Sequence, residues 1–254
     1  MKSELPLISI VTIVYNDKAG FAKTSRSVIK QSYDNIEYIV IDGGSSDDTV
    51  SLIKENEPNI EYWVSEPDNG ISDAFNKGVK AAKGDWIVLL NAADYFQNNE
   101  VVKNMIPHLL SNPNADLVYG KLTEVDESGN KGKSFGKPFD FDSFYRECTI
   151  IHPATFHNKS FFKTNGLFSS DFKIAMDYEI FLRKKDLKAV FVDEQVTFME
   201  VGGASQQNAS GAYKEVNKAK RLHLKKSELG LAKDYYENML RYRLSKMKSR
   251  FLKG

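Results

Sequence analysis

Three carboxylates and one lysine stand where their types and spacing could do chemistry. Asp94 closes the stretch Trp86-Ile87-Val88-Leu89-Leu90-Asn91-Ala92-Ala93-Asp94, five apolar residues followed by a small-residue step. Such a run reads as a strand buried on both faces, and ligands of open α/β sheets bind beyond the carboxyl ends of such strands. A carboxylate delivered there can hold Mg²⁺ or Mn²⁺, which take hard oxygen ligands. It can equally cap the helix expected near Asn98. Asp73 and Lys77, four residues apart on a predicted helix, share a face. They form either a surface ion pair or a carboxylate for a base or sugar hydroxyl beside a cation for phosphate. Asp177 falls at or near a predicted helix start, where it is either an N-cap or a placed proton acceptor. His152 is either a packed histidine or a site residue.

The elements that must position these groups alternate. Ile8–Tyr15 reads as a first buried strand ended by Asn16 and Asp17, and Phe21, Ser25, Val28, Ile29 and Ser32 recur at helical spacing. A second strand, Ile36–Ile41, closes on Asp42-Gly43-Gly44-Ser45, with Asp47 as expected N-cap of a helix over 48–56. Ile60–Val64 gives a short third strand. The loop Ser65–Gly70 leads into a helix with Ile71, Ala74, Phe75, Gly78, Val79 and Ala82 on one face. This order predicts parallel pairing with right-handed crossovers. Beyond the Asp94 strand, the pattern predicts a helix over 99–110, a strand over Asp116–Tyr119 and a hairpin within 121–138 that turns at Asp126–Asn130. Ile150–Pro153 reads as a strand end, Met176–Lys185 as a helix, Ala189–Val192 as a last short strand, and Val201–Asn208 as a loop.

In their order, several pieces resemble the family 2 inverting glycosyltransferases. They are Thr12-Ile13-Val14-Tyr15-Asn16, Ser27-Val28 with Gln31 and Tyr33, Ile41–Thr49, Ser65–Ile71, Asp73–Gly78 and Leu90–Asp94. The resemblance continues more loosely through His152–Phe156, Ala175–Glu179 and Gly202-Gly203. It implies a GT-A fold, with a mostly parallel nucleotide-binding sheet flanked by helices and a C-terminal helical extension. It divides the chain into a glycosyltransferase domain over 1–212, with a nucleotide-sugar half over 1–120 and an acceptor half over 121–212, and a basic tail over 213–254. It places Thr12, Tyr15 and Asn16 against the nucleotide, Asp42 on the base, Asp73 and Lys77 toward ribose and diphosphate, and His152 in the donor site. Asn91, Ala92, Ala93 and Asp94 match the family's short acidic motif, with Asp94 holding Mg²⁺ or Mn²⁺. Asp177 matches the general base.

Two departures sharpen this reading. Ala93 stands where relatives carry a second acid or a glycine. A small residue there lets the donor approach the backbone; the rival reading makes the chain a catalytically impaired nucleotide-sugar binding protein of the same fold. A processive polymerase is disfavoured, because the motif Gln-x-x-Arg-Trp is missing and the tryptophans are Trp63 and Trp86. A nucleotidyltransferase is disfavoured because Ile10–Asn16 has no glycine and no basic residue.

The single cysteine, Cys148, excludes an internal disulfide framework. Met1–Pro6 has no apolar signal core. The net charge of +1 hides an asymmetry: residues 213–254 carry 13 basic and 4 acidic side chains, the rest 22 and 30. Tyr236, Leu240, Leu244, Met247 and Phe251 share a helical face, with Arg241, Arg243, Lys246, Lys248 and Arg250 around it. That face predicts either packing on protein or peripheral contact with an anionic membrane. The expectation is a cytoplasmic bacterial enzyme, at the inner face of the membrane if the tail binds it. It would take a UDP-sugar or related donor and a glycan or polyprenyl-linked acceptor, with no nucleic acid partner.

Overall fold

The computed structural model describes residues 5–251 except Glu127, Glu147 and 204–206; the side chains of 143, 146, 245, 246 and 248–251 lie outside the described set. Nine strands form one sheet in the order β3-β2-β1-β4-β8-β6-β9-β5, with β7 pairing on β6. They are β1 Ile8–Val14, β2 Ile36–Asp42, β3 Tyr62–Ser65, β4 Trp86–Asn91, β5 Asp94–Phe96, β6 Leu117–Val125, β7 Lys131–Phe135, β8 Thr155–Asn158 and β9 Ala189–Glu200. The half built from β1 to β4 is parallel, as the strand–helix alternation predicts. Beyond β4 the pairings β4–β8, β6–β8 and β5–β9 are antiparallel, and β6–β9 is parallel. The hairpin within 121–138 is β6–β7; Glu127 in its turn lies outside the described residues.

Continuous apolar runs are what a sheet covered on both faces requires. All seven residues of β1 are buried. Ile8, Ile10 and Val14 join a core beneath α1 (Lys18–Ile29), α2 (Thr49–Asn56) and α4 (Val101–Ser111). Val11 and Ile13 point the other way, into a core shared with α3 (Ile71–Ala81), α6 (Lys159–Asn165) and α7 (Met176–Leu182). α3 crosses β1 closely at Gly78, where a Cβ would clash with the Val11 side chain. A short helix, α5 (Phe141–Arg146), precedes the second half, and α8 (Ala209–Leu224) and α9 (Glu228–Phe251) end the chain.

Several boundaries differ from expectation, each for a local reason. Asp94 follows the end of β4 by three residues, as expected, but it also opens β5, a three-residue strand too short to show periodicity. Ile150–Pro153 is not a strand end: His152–Ala154 makes a 3-10 turn, fitting the proline, and the strand β8 follows it. The final strand runs on from 192 to Glu200. Asp193 and Glu194, exposed in its middle, mimic a turn in the sequence, and the pairing with β6 shifts register opposite them. Asp48, not Asp47, occupies the cap position of α2, although the Asp47 carboxylate accepts the Thr49 amide. The boundary expected at 212/213 falls inside α8, whose Ala219 is buried in the main core.

Candidate active site

The carboxyl ends of β1 and β4 open onto a continuous cleft. Its larger part encloses about 620 Å³ and is lined by Tyr15, Asn91, Ala92, Ala93, Asp94, His152 and Asp177 among others. A smaller recess of about 270 Å³ adjoins it, sharing Tyr15, Asn91 and Ala92 and adding Asp68 and Gly70. Seven of the twelve candidate residues therefore meet in one cavity, although they come from distant parts of the chain.

The other five do not line either cavity. Thr12 is fully buried and its hydroxyl accepts from Tyr38 Oη at 3.2 Å. Asp42 is also buried, and its Oδ2 accepts the amides of Gly44 and Ser45 and the Ser65 hydroxyl at 2.6–3.1 Å. Asn16, in left-handed backbone, accepts the Ser46 amide through its side chain at 2.7 Å. Asp73 accepts the Asn69 amide at 3.0 Å. Lys77 donates to Pro67 O at 3.1 Å and pairs with Glu66 at 2.9 Å, and lies farther, 4.0 Å, from Asp73. These residues tie the loops after β1, β2 and β3 to one another beside the recess.

Asp94 does not cap a helix. Its Oδ2 accepts both the backbone amide and the side-chain amide of Asn91, at 3.1 and 2.8 Å, which closes the turn between β4 and β5. The side chain is 3% exposed. Burial pushes its pKa up to about 7, against the lowering effect of the Asn91 bonds, and the nearby Glu200 carboxylate adds to the rise. Its hydrogen-bond donors are the neutral amides of Asn91. Its carboxylate oxygens suit a hard divalent cation, with Asp17 and Glu200 lining the same cleft and Glu200 already paired with Lys23. Among the described residues no three His, Cys, Asp or Glu side chains converge on one point, so the chain itself would supply few of the ligands.

Ala93 takes φ +72°, the left-handed region that costs a residue with a Cβ about 1 kcal/mol or more. That is a backbone reason why glycine would suit this position, additional to space for a ligand. Ala93→Gly is expected to raise stability by about 1 kcal/mol, with the gain in the folded backbone offset in part by unfolded-chain entropy. Urea unfolding checks this, and a lowered midpoint would contradict it.

Asp177 lies in the first turn of α7, whose cap position belongs to Ala175, so it is not the cap. Its Oδ1 accepts the Tyr178 amide at 2.7 Å. Burial pushes its pKa up to about 6, opposed by backbone hydrogen bonds, with a smaller upward contribution from Glu215. His152 is 6% exposed, packed against Phe75, Phe168 and His157, and neither ring nitrogen has a hydrogen-bond partner among the described residues. Burial holds its pKa well below the ordinary imidazole value, so it stands neutral at the cleft wall.

Asp17, Asp68 and Glu200 also line the cavities; Asp68 belongs to the Ser65–Ile71 motif, but sequence pattern assigns none of the three a site role. Asp17 was read only as a strand terminator; it also caps α1 through the Gly20 amide at 2.9 Å. Glu200 was hidden because the strand that carries it was read as ending eight residues earlier. Its proximity to Gly202-Gly203 was the available signal.

Comparison with known proteins gives concordant results. The family described as Glycosyl transferase family 2 matches residues 9–185. An uncharacterized glycosyltransferase of Mycobacterium tuberculosis is 34% identical over 231 residues, covering 86% of this chain and 84% of the relative. A PGL/p-HBAD biosynthesis glycosyltransferase of Mycobacterium bovis is 27% identical over 181 residues, covering 70% and 69%. Among solved structures, S. aureus TarS superposes with a TM-score of 0.67 at 17% identity, over 93% of this chain but 43% of TarS. TarS 1–349 in complex with UDP-GlcNAc gives 0.67 at 15% identity, over 92% and 71%. The mannosyltransferase PcManGT of Pyrobaculum calidifontis, in complex with GDP-Man and Mn²⁺, gives 0.68 at 16% identity, over 89% and 66%. The fold likeness is to proteins of the GT-A kind, as the sequence reading anticipated.

Proposed function

This chain belongs to glycosyl transferase family 2, and we propose that it is a non-processive, inverting, metal-dependent hexosyltransferase. It takes a nucleotide-sugar, in the first instance a UDP-sugar, and glycosylates a glycan or polyprenyl-linked acceptor in bacterial surface polysaccharide synthesis. The observation that carries the proposal is that Asp94 and Asp177 line one cleft. The complexes of the fold neighbours with UDP-GlcNAc and with GDP-Man and Mn²⁺ support the donor class and the metal.

On this reading the recess beside Tyr15 and Asp68 receives the nucleotide. Thr12 and Asp42 support its loops from below, Asn16 ties the loops after β1 and β2 together, and Asp73 and Lys77 brace the loop over 66–69. Asn91, Ala92, Ala93 and His152 form the wall along which the donor lies. Asp94 would hold Mg²⁺ or Mn²⁺, which when bound would supply positive charge to the departing diphosphate. Asp177 accepts the proton of the acceptor hydroxyl as its oxygen bonds to the anomeric carbon. The bond from that carbon to the diphosphate breaks in the same displacement, and the nucleoside diphosphate leaves. A carboxyl group that titrates near 6 is ionised at neutral pH yet basic enough to take that proton. The donor class is tested by thermal shift with UDP-, GDP- and dTDP-sugars, with and without Mn²⁺, since a ligand of the folded state raises its melting temperature. One class should stabilise the protein in a metal-dependent way; stabilisation by none would count against the proposal.

The tail fits an acceptor held at a membrane. α8 and α9 form an antiparallel pair, joined through Lys220–Asp234 at 2.8 Å and Ser210–Tyr235 at 3.0 Å. Leu229, Tyr236, Leu240, Leu244 and Met247 of α9 are exposed, beside exposed Arg241 and Arg243. The side chains of Lys246, Lys248, Arg250 and Phe251 lie outside the described residues. From 238 to 254 the sequence has six basic residues and no acidic one. Two copies would repel along such a face, whereas an anionic bilayer attracts it. No helix among the described residues is long and apolar enough to cross a membrane; the proposed contact is peripheral, at the inner face. The substitution pair Leu240→Glu and Leu244→Glu should lower sedimentation with vesicles containing phosphatidylglycerol by at least about 10-fold, since two apolar anchors and local charge are lost. Unchanged sedimentation would remove membrane contact from the proposal.

A further inference from the structure

α8 reaches into the cleft wall that carries Asp177. The loop before α7 has three amides in succession that point at one side chain from the tail, Glu215. Its Oε1 accepts Lys173 N–H at 3.0 Å. Its Oε2 accepts Lys173, Ile174 and Ala175 N–H at 3.1, 2.8 and 2.9 Å. Ala175 occupies the cap position of α7 and offers no side-chain cap of its own, so a carboxylate from a different helix satisfies donors that would otherwise stand open. Ile174, Met176 and Asp177 all line the cleft. Asp177 follows the last of the three bound amides by two residues.

The same helix also grips the middle of α7. Two turns after Glu215, about 12 Å along α8 at 1.5 Å per residue, His223 Nε2 lies 2.8 Å from Glu179 Oε1. Glu179 also accepts from Arg183 Nε at 2.9 Å, and Arg183 in turn donates to the carbonyls of Asn165 and Leu167. Between the two grips, Lys218 Nζ donates to Asp171 O at 2.9 Å and sits over the Phe172 ring. Val216 and Ala219 of α8 pack into the core with Met176 and Tyr178. α7 has only seven residues and would not hold a helical turn unaided.

We propose that Glu215 is a positioning residue for the transfer step, fixing from α8 the backbone over 173–175 so that the Asp177 carboxylate is held at its place in the cleft. The inference rests on the reading of Asp177 as general base. It makes the basic tail part of the catalytic apparatus as well as a surface. It also means that deleting 213–254 to test membrane contact would disturb the chemistry.

Glu215 acts on Asp177 in two ways. It orders the helix start, and its negative charge shares the amide-rich end of α7 with the Asp177 carboxylate, opposing ionisation there. Of the other charged groups near Asp177, Asp17, Asp94 and Glu200 also line the cleft, Glu200 paired with Lys23; His152 is neutral, and Glu179, on the same helix, is tied to Arg183 and His223.

The test compares pH–rate profiles of the full-length wild type with Glu215→Gln and Glu215→Ala. Glu215→Gln keeps one acceptor oxygen and the side-chain shape but removes the charge. Its kcat should fall about 10-fold with donor KM unchanged, and its acidic limb should move to lower pH. Glu215→Ala should fall further, toward the 10²-fold that an ångström of misplacement can cost. If both variants keep the wild-type kcat and limb, the proposal is overturned. If they lose only melting temperature, with the rate per folded molecule and the limb unmoved, Glu215 is merely a structural cap and the proposal is again overturned. Asp177→Asn run alongside separates the two claims: a wild-type rate in that variant brings down the base assignment itself.

Discussion

Asp177→Asn should lower sugar transfer by at least about 10²-fold while leaving donor affinity within about twofold. The substitution preserves the size of the side chain and its ability to accept the Tyr178 amide. It removes only the basicity, and loss of a general base is worth about 10² to 10⁴ in rate. In the wild type, kcat should rise with pH through about 6, where burial places the titration of this carboxyl group, and the variant should lose that limb. A second, independent readout follows from linkage. The folded-state pKa lies above the ordinary carboxylate value of 3.8. Asp177 therefore contributes most favourably to stability below about pH 4, and that contribution is lost as pH rises through 6. Asp177→Asn should consequently raise the melting temperature at pH 7 relative to wild type, with the gain vanishing at low pH. An inactive but more stable protein is the signature of a base held at the expense of stability. A variant with wild-type turnover would make Asp177 an ordinary residue of α7.

Asp94→Asn should abolish metal-dependent donor binding, with kcat/KM down by about 10³-fold, the scale on which stabilisation of a leaving group's charge is lost. The asparagine is the cleaner change. Asp94→Ala would also strip the acceptor from both amides of Asn91 and loosen the turn between β4 and β5. Asp94→Asn retains one acceptor oxygen there and relieves a buried carboxylate whose pKa burial has pushed to about 7, so the fold should hold or gain stability. Mn²⁺ binding followed by electron paramagnetic resonance, with and without UDP, checks the loss directly. If the variant binds Mn²⁺ and donor as the wild type does, Asp94 only shapes its turn. If the wild type is inert and Ala93→Asp alone restores turnover, the missing acid at 93 was needed and the chain is a binding protein.

What could be read from the sequence was set by local pattern. β1, β2 and β4 announce themselves because buried parallel strands are mostly apolar on both faces, interrupted here only by Ser9 and Thr12 in β1 and Glu37 in β2, and Asn91–Asp94 is legible because it ends the uninterrupted run of β4. α3 shows its buried face through Ala74, Phe75, Gly78 and Val79, all buried in the structure. The second half is harder because its strands are short or irregular. β5 has three residues and β8 four, and β8 includes His157, a polar residue that is fully buried. β9 carries Asp193 and Glu194 through an irregular stretch of pairing, which broke its pattern and concealed Glu200. Glu215 was counted only as one of four acids in a basic tail. Nothing local marks it, because its three partners lie 40–42 residues away in sequence. The direct contacts of Asp42, Asp73 and Lys77 with neighbouring loops were likewise beyond pattern reading, since they depend on how the loops after β1, β2 and β3 converge.

The central claim is a single displacement across one cleft, with the base on Asp177 and the departing diphosphate near Asp94. The most direct measurement is the anomeric configuration of the product formed from the donor that the thermal-shift screen selects, read from the proton coupling at the new linkage by NMR. An α-linked nucleotide-sugar should yield a β-linked product, in a reaction that releases one nucleoside diphosphate per sugar transferred. An α-linked product would require two displacements or a front-face route and would contradict the account.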